Sequence, residues 1–218
     1  MKKTFAENQW FFVPFILTML FCCILMLAYS KIEIHLFCNR YYSGFADLFF
    51  SYITNLGDGI FVPLFVMIML FISIRYSILL VINFLLSGLV VQLIKHLFIY
   101  DALRPSKLFE SVCPLHLVSG VHQLYYHSFP SGRSATAFSI FLCFALVTRK
   151  PWVKFVFFVC ASIIAYSRVY LSQHFLEDIV AGSIIGVIVT LLTCHWAHIV
   201  KYPWLDKKFS ASKFKFTL

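Results

Sequence analysis

Apolar residues run through this chain in long stretches broken by short polar segments. Neither the alternation of a half-buried strand nor the narrow stripe of a soluble amphipathic helix recurs along it. Six stretches stand out, at 11–29, 57–74, 77–94, 134–147, 152–166 and 179–199. About 20 helical residues cross a ~30 Å hydrocarbon core. Lipid offers the backbone no hydrogen-bond partner, so runs without a period of two are predicted to be transmembrane helices rather than barrel strands. The predicted fold class is all-α, a polytopic membrane protein with six helices in a bundle. Little more than Arg75-Tyr76 separates the second and third runs, which predicts a tight antiparallel hairpin. The fourth and fifth runs are short and are expected to draw flanking polar residues into extra helical turns.

The first run is expected to remain as a span. Met1-Lys2-Lys3 has the charge of a signal-peptide start, but the apolar run is too long and no small-x-small site follows it. Without internal repeats or low-complexity linkers, one domain is expected over residues 1–218, with its core at about 45–195.

Composition agrees with this pattern. Of the 218 residues 61% are hydrophobic and only 12% charged, with 26 Phe, more apolar surface than a soluble domain of this size could hide. Charge then sets direction, since basic residues favour the cytoplasmic side. With the N-terminus inside, the inner face takes Lys2, Lys3, Arg75, Arg149, Lys150, Lys154, Lys201, Lys207, Lys208, Lys213 and Lys215. The outer face takes Lys31, Arg40, Lys95, Arg104, Lys107, Arg133 and Arg168. Four of those seven belong to polar islands described below, so both termini are expected in the cytoplasm. Trp10, Trp152, Trp196 and Trp204 fall near the inner interface in this arrangement, where indole rings settle. The net charge of +9 is accounted for by topology and leaflet anchoring and requires no nucleic-acid partner. Membrane lipids are the expected surroundings, and no obligate protein partner is expected.

Five of the seven cysteines (Cys22, Cys23, Cys143, Cys160 and Cys194) fall within runs, as small apolar residues. Cys38 and Cys113 fall on outer loops, where an oxidising compartment would permit a bridge, although spacing supplies no geometry for one. No Cys/His spacing suits zinc, and His195 and His198 are expected at an interface or helix end.

Three polar islands interrupt the oily sequence, and the orientation above puts all three on the outer face. Ser167-Arg168-x5-His174-x3-Asp178 leads into the sixth run. On a helical turn His174 and Asp178 share a face. The carboxylate can then accept from one ring nitrogen, fixing the tautomer and leaving the other free to attack. Arg168 can grip phosphate oxygens through two N–H groups. A structural ion pair at a helix end is the plainer alternative. Pro130-Ser131-Gly132-Arg133 opens the fourth run, where a helix N-terminus presents unpaired N–H groups to an anion. Ser131 suits an N-cap, and Gly132 lets a ligand approach the backbone. Lys95 closes the third run and Arg104-Pro105 follows, two cations able to clamp a dianion, or in the case of Lys95 simply to snorkel.

Taken together, Lys95…Arg104-Pro105, Pro130-Ser131-Gly132-Arg133 and Ser167-Arg168-x5-His174-x3-Asp178 resemble the type 2 phosphatidic acid phosphatase superfamily. Its pattern is Lys-x6-Arg-Pro, Pro-Ser-Gly-His and Ser-Arg-x5-His-x3-Asp. The third element matches in full, and the order of the three matches across the runs. The resemblance implies a phosphatase without metal or other cofactor, acting on a lipid phosphate. It implies His174 as nucleophile, forming a phosphohistidine, and Asp178 as the residue that orients it. Lys95, Arg104, Ser131, Gly132 and Arg168 would bind the phosphate.

Two departures bear on activity. Lys95 and Arg104 are separated by eight residues instead of six, which a loop can absorb. More seriously, Arg133 occupies the position of a His that would protonate the leaving oxygen. A guanidinium keeps its proton at neutral pH and can only stabilise charge. A general acid is worth ~10²–10⁴-fold, most for an alkoxide leaving group and least for a phosphate. Arg133 therefore marks an inactivating replacement, a phospholipid-binding pseudoenzyme, or transfer of the acid role to another group such as His127, with His122 in the same loop.

The wording His127-Ser128-Phe129-Pro130-Ser131-Gly132 and the wider Lys–Arg gap look most like bacterial lipid A phosphatases. That resemblance implies an inner-membrane enzyme whose site faces the periplasm and which modifies lipopolysaccharide. Polyprenyl pyrophosphate and phosphatidylglycerol phosphate are the alternative substrates. A transporter is disfavoured because the charges gather at one interface and not at the midplane.

Overall fold

The protein is described by a computed structural model covering residues 2–99, 102–110 and 112–199. Helices make up its regular structure, and no strand occurs among the described residues. In chain order they are α1 (Lys2–Glu7), α2 (Gln9–Ala28), α3 (Lys31–Arg40), α4 (Gly44–Ile53), α5 (Val62–Leu70), α6 (Ile74–Leu93), α7 (Pro105–Leu108), α8 (Gly132–Val147), α9 (Pro151–Tyr170) and α10 (Leu176–Ile199). Two short 3₁₀ turns, Thr54–Gly57 and Gly59–Phe61, join α4 to α5, and a π-helical turn, Ile94–Phe98, extends α6.

Four helices are long and apolar enough to cross a membrane: Gln9–Ala28, Ile74–Leu97, Pro151–Tyr170 and Leu176–Ala197. Gly44–Gly57 and Gly59–Leu70 pass the same test as a pair bent by 64°, which raises the number to five if the pair is one span. α8 is apolar but has only 16 residues. The second apolar run therefore starts earlier than its predicted edge at 57. Its first half carries a stripe of Phe45, Leu48, Phe49 and Tyr52, all exposed, and it breaks at Asp58 between two glycines. The predicted hairpin turn at Arg75-Tyr76 is also displaced. The turn is Phe71–Ser73, because the Ser73 hydroxyl accepts from Tyr76 N–H and starts α6 there. Arg75 lies inside the helix, its guanidinium donating to the Ala197 carbonyl at 2.7 Å.

α8 is the centre of the bundle. Ser134 through Ala145 are all buried, and α6, α9 and α10 pack around it. Its approach to α10 is close enough to need glycine. A Cβ on Gly182 would lie 2.2 Å from the Ser131 carbonyl oxygen, and one on Gly186 would lie 2.3 Å from that of Ala135. Spacing of four residues puts both glycines on one face, the small-xxx-small arrangement that lets helices touch backbone to backbone. Aromatic rings fill the rest, with Phe11 edge-on to both Phe138 and Phe158.

As expected, the short fourth and fifth runs recruit motif residues: α8 begins at Gly132, and α9 continues through Ser167 and Arg168. At the opposite end of the bundle lie Trp10, Trp152 and Trp196, beside Lys154, which donates to Glu7 O and Asn8 Oδ1. Trp204 and the cations Lys201, Lys207, Lys208, Lys213 and Lys215 lie outside the described residues. The Cys38 and Cys113 thiols are free.

Candidate active site

Four helix ends meet on the side away from those tryptophans: the C-terminal ends of α6 and α9, and the N-terminal ends of α8 and α10. They bound a cavity of about 320 Å³ lined by Lys95, Arg104, Gly132, Arg133, Arg168 and His174, together with His122, Leu124 and Gln173. The three islands, spread over more than 80 residues of sequence, are thus neighbours in space. A second cavity of about 870 Å³ adjoins it, sharing Lys95, Arg104, His122 and Leu124 and adding Tyr125, Tyr126 and His127.

His174 is fully inside the protein, 3% exposed. Its Nδ1 lies 3.3 Å from Asp178 Oδ2, and its Nε2 lies 3.3 Å from Arg104 Nη1. A guanidinium can only donate, so the Nε2 lone pair faces Arg104 and the ring proton sits on Nδ1, shared with Asp178. This is the tautomer a nucleophilic imidazole needs. Burial, followed by the charges of Arg104, Arg168 and Lys95, pushes the His174 pKa well below the ordinary histidine value, so the ring stays neutral.

Asp178 locks two islands together. Its Oδ2 accepts from Ser128 Oγ at 2.5 Å and from Phe175 N–H at 2.8 Å, and its own carbonyl accepts from Ser131 N–H at 2.9 Å. The start of α8 is therefore pinned to the start of α10 by the same residue that orients His174.

Arg104 and Arg168 are held by backbone and neutral groups. Arg104 donates through Nε to Tyr126 O at 2.9 Å and through Nη1 to Gln173 O at 2.9 Å. Burial lowers its pKa to about 10, still far above neutrality. Arg168, 4% exposed, donates to Thr54 Oγ1 at 2.8 Å and to Gln173 Oε1 at 3.4 Å. Its Nε is buried and finds no acceptor among the described residues. A buried guanidinium N–H without an acceptor is costly, and Arg168 is one of the residues that line the cavity.

Arg133 has a partner that sequence reasoning missed. Its Nε lies 3.0 Å from Asp58 Oδ2, and its Nη2 reaches the same oxygen. Asp58 sits at the 64° break between α4 and α5, which packs on the first turn of α8: a Cβ on Gly57 would lie 3.0 Å from the Arg133 carbonyl. The only signal in the sequence is a lone carboxylate between two glycines at the edge of an apolar run. Thr54 and Gln173, which hold Arg168, were also missed.

Among the expected phosphate ligands, Lys95, Arg104, Gly132 and Arg168 line the small cavity. Ser131 does not. It is completely buried as the N-cap of α8, and its Oγ accepts from Ser134 N–H at 3.4 Å and Ser134 Oγ at 2.9 Å. Its cap role holds, and because both bonds are accepted its own O–H proton remains to donate. His122 lines both cavities, while His127 lines only the larger one. No cluster of His, Cys, Asp and Glu suited to a metal occurs among the described residues.

Comparison with known proteins places this geometry. A 65-residue segment is 34% identical to a lipid A 1-phosphatase of Porphyromonas gingivalis, covering 29% of this chain and 15% of that protein. Over 84 residues the chain is 31% identical to a lipid A 4'-phosphatase of Bacteroides thetaiotaomicron, covering 38% of this chain and 37% of that protein. The chain thus matches well under half the length of either relative. Among solved structures, Aquifex aeolicus LpxE superposes with a TM-score of 0.66 at 27% identity, covering 75% of this chain and 94% of that one. The fold also matches a PAP2-type phosphatidylglycerolphosphate phosphatase from Bacillus subtilis, with a TM-score of 0.64 at 23% identity over 88% of this chain and 98% of that one. The family model of the PAP2 superfamily matches residues 75–201, more than half of the sequence and the stretch that carries all three islands, so this chain belongs to the PAP2 superfamily.

Proposed function

We propose that the protein removes a phosphate group from a membrane lipid, with His174 as the nucleophile. His174 Nε2 attacks phosphorus, the bond from phosphorus to the lipid oxygen breaks, that oxygen takes a proton from solvent water, and a phosphohistidine forms. Water then attacks that phosphorus, the P–N bond breaks and inorganic phosphate leaves. Asp178 holds the Nδ1 proton and stabilises the charge the ring acquires. Lys95, Arg104, Arg168 and the Gly132 N–H neutralise the three non-bridging oxygens, and most of the catalysis is electrostatic. Three cationic side chains supply the charge that other phosphatases take from metal ions, so no metal is required in this reading. The observation that carries it is the contact pair of His174, Nδ1 on Asp178 and Nε2 facing Arg104, in a cavity that Lys95, Arg104 and Arg168 line.

Lipid A is the leading substrate, because the relatives matched by sequence are lipid A phosphatases. The adjoining cavity of about 870 Å³, lined by tyrosine, histidine and glutamine, has room for a large polar headgroup. We place the protein in a bacterial inner membrane as a single unit with six spans, α8 being the sixth, both termini cytoplasmic and the site facing the periplasm. Arg75 and Lys154 at the far end of the bundle support that orientation.

A second reading draws on Arg133. Bound to Asp58, it can stabilise charge on a leaving group and cannot protonate one. A lipid diphosphate such as a polyprenyl pyrophosphate, whose leaving phosphate needs little protonation, would suffer least. Phosphate release from lipid A, a polyprenyl pyrophosphate and phosphatidylglycerol phosphate, measured side by side, separates the two. The leading reading expects slow turnover of lipid A above the other two. Turnover of the diphosphate alone supports the second, and release from none, with binding retained, makes the protein a lipid-phosphate binder.

A further inference from the structure

His35 lies on α3, outside the stretch that matches the family model, and none of the three islands includes it. Yet it is 1% exposed, a cost that an imidazole on a short helix would not ordinarily bear. Its ring lies between two others, stacked on Phe109 at 5.5 Å and edge-on to Phe175 at 5.4 Å. Phe109 follows α7, the helix opened by Arg104-Pro105, and Phe175 follows His174 directly. One ring therefore touches the segments that carry the two groups in contact across the cavity.

The polar edge of His35 points to the same place. Its Nε2 lies 3.2 Å from Ser172 Oγ, and Asn39, one helical turn on, lies 3.4 Å from the same oxygen through Nδ2. Ser172 needs this support because its φ is +54°, a left-handed conformation that costs a non-glycine residue about 1–2 kcal/mol. That turn creates the site: immediately after it, Gln173 N–H and His174 N–H both donate to the Arg168 carbonyl, at 2.9 and 3.1 Å. The orientation of His174 thus depends on a strained residue two positions earlier, held by a helix distant in sequence.

We propose that His35 is a positioning residue of this site, holding the Ser172 turn through Nε2 and packing the Arg104 and His174 segments against each other. The role of the turn rests on His174 being the reacting group, while the clamp itself does not. Two consequences follow from the chemistry. His35→Phe keeps the aromatic packing and removes the hydrogen bond, so it loosens the turn without emptying the core. Ser172→Gly removes the conformational penalty, since glycine adopts positive φ freely, and makes the clamp dispensable.

The test measures amide hydrogen exchange in full-length protein in detergent, for peptides spanning 171–175, with α8 and α10 peptides as folding controls. It also measures kcat and KM on a lipid phosphate. In His35→Phe the 171–175 amides should exchange at least about tenfold faster, with α8 and α10 unchanged; kcat should fall by about tenfold or more, with KM within about twofold. Adding Ser172→Gly to His35→Phe should recover most of kcat. Unchanged exchange at 171–175, or exchange faster by the same factor throughout α8 and α10, would overturn the proposal. So would a double variant as slow as His35→Phe alone. Failure of the parent to turn over any lipid phosphate would refute the proposed function, and the exchange measurement would still decide the clamp.

Discussion

Asp58 holds Arg133 by a single carboxylate oxygen, across 75 residues of sequence and at the one break in the α4–α5 pair. Beside Arg104 and Arg168, a guanidinium without a counter-charge would face only like charges. This one has a carboxylate, which an adjoining Gly57-Asp58-Gly59 bend presents to the first turn of α8. The pair fixes a cation in the cavity wall.

Arg133→His should raise hydrolysis of a lipid monophosphate by at least about tenfold, the low side of a general acid's worth. Asp58 reinforces the effect, because a neighbouring carboxylate raises an imidazole pKa and keeps the new ring protonated near neutrality. Phosphate release by parent and variant checks this, with p-nitrophenyl phosphate as the control whose leaving group needs no proton and whose rate should change much less. Equal gains on both substrates would contradict the acid role.

Asp58→Ala should leave Arg133 unpaired among three other cations. The pair is about one-third exposed, with side chains 34% and 30% accessible, so its loss should cost only about 1 kcal/mol. That corresponds to a drop of about 2–4 °C in Tm for a chain of this length. Removing the one opposing charge at Arg133 should strengthen inhibition by vanadate, an anion that mimics phosphate in transfer. Thermal melts and vanadate titrations read the two effects separately.

Acid should destabilise the fold through its buried imidazoles. Burial pushes the His35 pKa down to about 4, and that of His174 also lies well below the ordinary value near 6.5. Between pH 6.5 and about 4 the unfolded chain binds protons at His35 that the folded chain refuses, so stability falls as pH drops through that window and levels off above it. Each such group contributes a slope of up to about 1.4 kcal/mol per pH unit. Melting temperatures in detergent should be flat from pH 7 to 8 and clearly lower at pH 5. Activity should keep its neutral nucleophile to below pH 6, and an acid limb centred at 6.5 would point to a different titrating group.

The parts of this protein legible in its sequence are those where lipid or chemistry restricts the choice. Uninterrupted apolar runs gave the helices, and the spacing of His174 and Asp178 gave a contact that the structure contains. Arg104, Gly132 and Arg168 meet around His174 as the islands suggested. What escaped were partners that act singly over long distances. Asp58, Thr54 and His35 each look incidental in their local sequence, and only tertiary packing brings them to Arg133, Arg168 and Ser172. Ser131 was expected as a ligand because a helix-start hydroxyl can serve an anion or a backbone, and here its oxygen caps the helix.

The central claim is that His174 is the group that takes the phosphoryl. Rapid acid-free denaturation of the protein during turnover of a ³²P-labelled phosphate with a good leaving group tests it most directly, followed by mapping of the label. The account predicts a label stable to base and lost in acid, on the peptide containing His174 and absent from His174→Ala. Phosphate release without any trapped label, or a label that persists in His174→Ala, would contradict it.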